Sequence, residues 1–204
     1  MHPPSNPLPD QTPQSTVTVA GTTITMQQLQ QIYAELTGKS ESISSYYDDP
    51  IRLSLDDVEL LHHKIVQTWE QYHVTSSSCS FTVYHQKETK NEFNSFDRFK
   101  LQIGGGGDAV ESLFIKYDFL VIPPNVFKAQ TYSISIRLVS RLAVERRLRR
   151  GGFFSVPSFI RKMAHHTGSV EVTYVDYSIA RALRTTVDEW FQTIPRSREN
   201  KSMK

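Results

Sequence analysis

Two long runs of alternating residues in the middle of the chain limit its fold more than any other feature. They cover residues 112–122 and 131–141, and a proline-containing connection, 123–130, joins them. In each run every second residue is apolar, which is the pattern of a β-strand with one buried face. Two such strands in succession predict a long antiparallel hairpin whose apolar face is free to pack against helices.

Three segments have the spacing of amphipathic helices, and each begins after a residue whose side chain can cap the first turn. The caps are Thr25, Ser54 and Asp176. Apolar residues recur every three or four positions in these segments, which predicts one buried face on each helix. Those faces comprise Leu29, Ile32, Tyr33 and Leu36 in the first, Leu55, Val58, Leu61, Ile65, Trp69 and Tyr72 in the second, and Ala180, Leu183, Val187, Trp190, Phe191 and Ile194 in the third.

Shorter segments complete the predicted order of elements. Residues 78–84 and 170–174 alternate as strands, and 16–24 predicts a short strand or a hairpin around Gly21. A short strand is expected around 100–103 after a helical turn at 95–99. Residues 39–50 and 88–94 are polar and predict loops, and 142–150 predicts a helix. An antiparallel sheet with helices gathered against one face is the α+β architecture. The sequence therefore predicts a sheet of about four to six strands with amphipathic helices mainly on one face.

The composition divides the chain into three parts. Residues 1–15 contain five prolines among polar residues and no apolar pattern, which predicts a disordered lead-in. Residues 16–195 are predicted to form a single α+β domain, and 196–204 form a basic polar tail. The order of elements in the central part resembles that of helix-grip folds, in which a long C-terminal helix lies in a curved sheet and encloses a ligand cavity. This resemblance implies a cavity between the closing helix and the sheet, bordered by Tyr117, Phe119, Tyr132 and Tyr174.

The cysteine content and the hydropathy pattern suggest a compartment. The single cysteine, Cys79, cannot form an internal disulfide, which favours a reducing environment. The N-terminal residues lack the basic and apolar regions of a signal peptide. No apolar run reaches the ~20 residues that a membrane-spanning helix needs. We therefore expect a cytoplasmic protein.

No motif in the sequence specifies a reaction, a metal or a cofactor. The histidines include two adjacent pairs, His62-His63 and His165-His166, and neighbours on a helix point about 100° apart, which disfavours a shared metal ion. The tetraglycine 104–107 lacks the Lys-Ser/Thr that a phosphate-binding loop uses. Cys79 and His85 are too far apart along one strand to form a dyad. The sequence therefore favours a non-enzymatic protein without a cofactor.

The distribution of charge provides the one functional indication. Residues 1–100 contain 7 basic and 12 acidic residues, whereas residues 101–204 contain 16 basic and 9 acidic ones. Eight of those cations lie within 137–162 against a single acid, Glu145. Basic residues mixed with aromatic ones suit an anionic membrane surface or a nucleic acid. The candidate site residues are Arg141, Arg146, Arg147, Arg149, Arg150, Phe153, Phe154, Arg161 and Lys162.

This stretch leaves alternatives open. In one, the arginines form a solvated helical face, and the aromatic residues that follow fold back over the sheet. In the other, the chain is a non-enzymatic recognition or scaffold domain that binds an anionic partner through 137–163. The candidate partners are an acidic membrane surface, a nucleic acid, an acidic protein, and a second copy of the chain. A helix-grip-like domain that binds or transforms a small molecule is the alternative function.

Overall fold

The computed structural model describes residues 16–19, 21–37, 40–85, 89–104, 109–123, 128–140 and 166–196. Contacts within the chain separate it into two compact units, Met1–Lys39 and Ser40–Lys204. The predicted lead-in 1–15, the predicted helix 142–150 and the tail after Arg196 lie outside the described residues. The single domain predicted over 16–195 stays a prediction.

The first unit contains a hairpin followed by a helix. Strands β1 (Thr16–Val19) and β2 (Thr22–Thr25) pair antiparallel, and Gly21 takes a positive φ of 80° in the turn between them. Helix α1 (Met26–Thr37) follows directly. The Thr25 hydroxyl accepts a hydrogen bond from the Gln28 N–H at 3.1 Å, and the Gln28 side chain accepts one from the Thr25 N–H at 2.9 Å. This reciprocal cap confirms the predicted helix start.

The second unit is built on a sheet that has six strands among the described residues. All of its neighbouring strands pair antiparallel, in the order β3-β8-β7-β6-β4-β5. The predicted central hairpin is confirmed as the pair β6 and β7. The strands are β3 (Glu41–Tyr47), β4 (His73–His85), β5 (Lys90–Phe93), β6 (Val110–Ile122), β7 (Gln130–Val139) and β8 (Gly168–Tyr174).

Three helices among the described residues of this unit pack against one face of the sheet, which confirms the predicted α+β class. They are α2 (Leu55–Trp69), α3 (Phe96–Gly104) and α4 (Tyr177–Thr193). Their contacts with the sheet are aromatic: the Trp69 and Tyr117 ring centroids lie 5.4 Å apart, and those of Phe96 and Phe81 lie 5.6 Å apart. Phe191 of α4 stacks on Tyr47 of β3 at 3.7 Å. The strand register places these three strand residues on the same face.

The two long helices begin where the sequence predicts. Ser54 caps α2 in a reciprocal box with Asp57, and the Asp176 carboxylate caps α4 by accepting from the Ser178 N–H at 2.7 Å. Trp69 and Trp190, expected to be buried, are 7% and 0% exposed. The Trp190 indole N–H donates to the Asp57 carbonyl at 2.8 Å, so it ties α4 to the first turn of α2.

Three local predictions are wrong. Residues 39–50 contain strand β3 rather than only a loop, and 88–94 contain strand β5. Both strands lie at the ends of the sheet, where a strand has one neighbour and carries little of the apolar alternation that identifies it. The strand expected around 100–103 is instead the second half of α3, because Phe96 and Phe99 are buried on a helical spacing while Leu101 is 78% exposed.

Candidate binding surfaces

The nine predicted site residues cannot be placed on the structure. Arg141, Arg146, Arg147, Arg149, Arg150, Phe153, Phe154, Arg161 and Lys162 all fall within 141–165, which lies outside the described residues. The anionic-partner site therefore stays a prediction. The structure does describe the two ends between which this connection runs.

The ends of the connection are held side by side. It leaves the sheet after Val139 in β7 and returns before Gly168 in β8, and these strands pair with Leu138 opposite Gly168. The Val139 N–H donates to the Thr167 carbonyl, and the Ser140 N–H donates to the Glu111 carbonyl, both at 2.9 Å. The 25-residue segment 141–165 is thus tethered at both ends to the same end of the sheet.

Two carboxylates near this end of the sheet already have basic partners among the described residues. Asp48 contacts the His166 imidazole, whose ring also lies 4.9 Å from that of Tyr46. Asp49 forms an ion pair with the Arg196 guanidinium at 2.9 Å. Asp48 and Asp49 therefore each have a basic partner outside the connection, namely His166 and Arg196.

The sheet face opposite the helices is predominantly hydroxyl-bearing, and we call it the open face. Its charged side chains include Lys116 and Asp118, which form an exposed ion pair at 2.9 Å. Arg137 of β7 lies opposite Phe114 of β6, with its guanidinium 5.9 Å from the ring centroid. Many serines and threonines line this face, including Ser42, Ser44, Ser78, Ser80, Thr131, Ser133, Ser135, Ser169 and Thr173.

The space between α4 and the sheet is where the helix-grip resemblance places a ligand. The four side chains expected there are all buried, and Tyr117 is 0% exposed. Phe119 stacks on Tyr132 with centroids 5.6 Å apart, and Trp69 contacts Tyr117 and Phe119 at 5.4 and 5.3 Å. These side chains therefore pack against one another and against Trp69 of α2.

The hydroxyl groups of these tyrosines are committed to partners within the protein. Tyr117 shares a hydrogen bond with His62 Nδ1 at 3.1 Å, and Tyr174 donates to Glu41 at 3.1 Å. Tyr132 donates to the Gln130 side chain at 2.7 Å and accepts from the Asp176 N–H at 3.2 Å. Burial raises the pKa of Tyr117 above its ordinary value and that of Tyr132 to about 12. Both phenols are therefore neutral hydrogen-bonding groups at neutral pH.

The described residues do not assemble a recognisable catalytic or metal centre. Burial raises the pKa of the Cys79 thiol, which keeps it protonated and poorly nucleophilic at neutral pH. His85 Nε2 is paired with the Asn91 side chain at 3.1 Å. No group of three or more His, Cys, Asp or Glu side chains that could hold a metal ion occurs in the described part of the chain.

One polar cluster joins residues that no sequence pattern connects. The Tyr47 hydroxyl donates to the Asp188 carboxylate, and Arg184 Nε lies 3.4 Å from the same carboxylate. Burial, and then the hydrogen bond to Asp188, raise the pKa of Tyr47. The cluster ties the terminal strand β3 to α4 across 141 positions of sequence, a separation at which local patterns carry no signal.

Comparisons with protein-family models, with curated proteins and with solved structures give no match for this chain. Among the described residues, no helix is both long enough and apolar enough to cross a membrane.

Proposed function

We propose that this chain is a non-enzymatic recognition domain on the cytoplasmic side. It binds an anionic partner through residues 137–163, a basic stretch that includes most of the connection between β7 and β8. The observation that carries the proposal is the segregation of charge. Residues 137–162 hold eight cations and one acid, a net charge of +7, while the whole chain has a net charge of +2. The rest of the protein is therefore net negative.

Such segregation favours a partner over a merely solvated face. A strongly basic segment on an acidic body gains free energy from an external anionic surface, whether phosphate groups or carboxylates. Two described carboxylates near its return into the sheet, Asp48 and Asp49, contact His166 and Arg196. The two strands that hold the connection, β7 and β8, each have a neighbour on both sides, and their helix-facing side chains are buried.

The alternative function, a helix-grip-like domain with a ligand between α4 and the sheet, lacks comparable support. Tyr117, Phe119 and Tyr132, which the resemblance places around the ligand, contact one another or Trp69 of α2. A small molecule would have to displace packed aromatic rings, each of which makes a large contribution to stability.

The test uses the full chain and a charge-reversal variant in which Arg146, Arg147, Arg149 and Arg150 become Glu. Binding is measured to vesicles containing phosphatidylserine, to a single-stranded oligonucleotide and to polyglutamate. The matched control reverses four cations outside the connection, Arg52, Lys64, Arg98 and Arg181, and so changes the net charge equally. We expect the first variant to lose binding and the control to retain most of it.

The three probes separate the partners. Nucleic-acid affinity should fall with salt at a logarithmic slope of about −0.7 per phosphate contact. Membrane affinity should gain roughly 1 kcal/mol per basic residue near the surface. Changing Phe153 and Phe154 to Ser should weaken binding to vesicles and to the oligonucleotide. The proposal is wrong if the protein binds none of the three probes at low salt and micromolar concentration. It is also wrong if the two charge-reversal variants lose binding to the same extent.

A further inference from the structure

The two ends of the six-stranded sheet differ in how they limit further strand pairing. Strand β5 has four residues, and its exposed Lys90 and Glu92 side chains form an ion pair at 3.0 Å. It pairs with β4 over only four positions, from Phe81 opposite Phe93 to Tyr84 opposite Lys90. Short length and charged side chains are usual protections of an edge strand. The β5 edge is therefore poorly suited to receive another strand.

Strand β3 is longer and has one charged residue, Glu41 at its first position. It pairs with β8 over seven consecutive positions, from Glu41 opposite Tyr174 to Tyr47 opposite Gly168, without a register shift. Residues 42–47 include no charged residue, no proline and no glycine. Among the described residues no strand pairs with its other side. Alternate backbone N–H and C=O groups of a strand in this position point away from the sheet.

We propose that β3 pairs antiparallel with β3 of a second copy of this chain, across a two-fold axis at Ser44. In this register Glu41 lies opposite Tyr47, Ser42 opposite Tyr46, and Ser44 opposite its own counterpart. Because side chains alternate between faces, residues that face the helices in one copy lie opposite residues that face the helices in the other. The two sheets then continue as one, with all helices on the same side.

The sequence of β3 fits its own copy in charge as well as in register. Glu41 is the one charged residue of the strand, and the symmetric register sets it against a tyrosine and not against another carboxylate. The Glu41 carboxylate also accepts a hydrogen bond from Tyr174 within its own chain. A closed two-fold interface uses the same strand from both partners and leaves neither β3 edge exposed. Nothing of comparable specificity in the strand selects an unrelated peptide.

The interface is small, so the dimer should be weak and reversible. Seven residues span roughly 23 Å of strand, and edge pairing alone buries less than a standard stable interface. We therefore expect association in the range of about 10 to 100 µM, visible as a concentration-dependent rise above 23.4 kDa in sedimentation velocity of the full chain.

Charge placed at the two-fold axis tests the register directly. Ser44 is exposed on the open face, and its two copies would bring their side chains to about 5 Å from each other. Ser44→Lys and Ser44→Glu should each raise the dissociation constant at least about tenfold, because two like charges then face each other. An equimolar mixture of the two variants should recover the dimer, since Lys then faces Glu.

The matched controls are Ser133→Lys and Ser133→Glu. Ser133 lies on the same open face, opposite an acid as Ser44 is, but on the interior strand β7. These variants should dimerise as the unaltered chain does. Three results would overturn the proposal: an unaltered chain that stays monomeric up to about 1 mM, a dimer that tolerates both Ser44 variants, or a mixture of these variants that stays monomeric. If the unaltered chain stays monomeric, any partner of the β3 edge must be a different molecule.

Discussion

The two faces of the six-stranded sheet arise from the same strands but contribute to the molecule in different ways. On β7, Tyr132, Ile134, Ile136 and Leu138 face the helices and are at most 2% exposed. Thr131, Ser133, Ser135 and Arg137 alternate with them on the open face and remain partly exposed. Fully burying one large apolar side chain stabilises a fold by about 1.5–3 kcal/mol, so the helix-covered face supplies most of the stability. The open face can therefore vary, or meet a partner, at little cost to the fold.

The largest expected effect comes from removing a large buried side chain from the helix-covered face. Replacing Trp190 by Ala removes a fully buried ring and its hydrogen bond to Asp57, so the free energy of unfolding should fall by about 3–5 kcal/mol in urea denaturation. The open-face control is Phe114→Ala, which removes a partly exposed ring and should cost clearly less. Equal losses in the two variants would show that the faces do not differ as described.

A smaller loss is expected from adding one methyl group to the helix-covered face. A Cβ at Gly168 would lie 2.2 Å from the Phe191 ζ carbon, so Gly168→Ala must push the ring away from β8. Such overpacking typically costs about 1–3 kcal/mol. Ser169→Ala changes the next residue, on the open face, and should leave the thermal midpoint nearly unchanged. Adding Phe191→Leu to Gly168→Ala should recover part of the loss, and its failure to do so would locate the strain elsewhere.

Acid should weaken the helix-covered face through His62. Burial, and then the neighbouring His63, lower the pKa of His62 below its usual value near 6.5, and the opposing influence of Asp97 and Glu59 is smaller. A lowered histidine pKa means that the folded state favours the neutral imidazole. Its stabilising contribution is therefore complete above pH 6.5 and is lost as the pH falls through the pKa of the folded state.

The measurement is the free energy of unfolding between pH 7.5 and about 5. His62→Phe keeps an aromatic ring stacked on Phe96 and should flatten the pH dependence in this range. His73→Gln replaces an exposed histidine at the start of β4 and should leave the slope unchanged. If the free energy of unfolding still falls with acid in His62→Phe, another group causes the acid sensitivity.

The smallest effect is expected from the open face. Lys116 and Asp118 are 43% and 47% exposed in their side chains, and exposed ion pairs typically contribute 0–1 kcal/mol. Asp118→Asn should change the free energy of unfolding by less than about 1 kcal/mol, and less again at high salt, where screening weakens the pair. A large, salt-independent loss of unfolding free energy would mean that the open face contributes as much to stability as the helix-covered face.

The contrast between the faces also explains what could be predicted from sequence. Strands β6 and β7 alternate over many residues because one side is buried and the other is not, and α2 and α4 show long apolar stripes for the same reason. Strand β3 was missed because serines occupy both of its faces and Tyr46 breaks the alternation. Helix α3 was partly mistaken for a strand, since Leu101 and Ile103 alternate by coincidence while Phe96 and Phe99 carry the burial.

The prediction of the candidate site rests on a different kind of signal. Its residues were identified from charge composition alone, which indicates a class of partner and not a geometry. The contacts that the sequence could not predict join distant positions, as in the Tyr47–Asp188 hydrogen bond and the packing of Phe191 against Gly168. Local patterns report which face of an element is buried, but they carry no information about which distant residue covers it.

The pairing of β3 with β8 has a consequence for how the protein is made. Glu41 and Tyr174 are register partners 133 positions apart, so β3 leaves the ribosome long before its only described strand partner is synthesised. At about 5–20 residues per second, the interval is roughly 7–27 seconds. Throughout it, both edges of a charge-poor strand are open to other nascent chains or to a chaperone. Strand β3 is thus the first strand of this sheet to be translated and one of the last whose described partner strand becomes available.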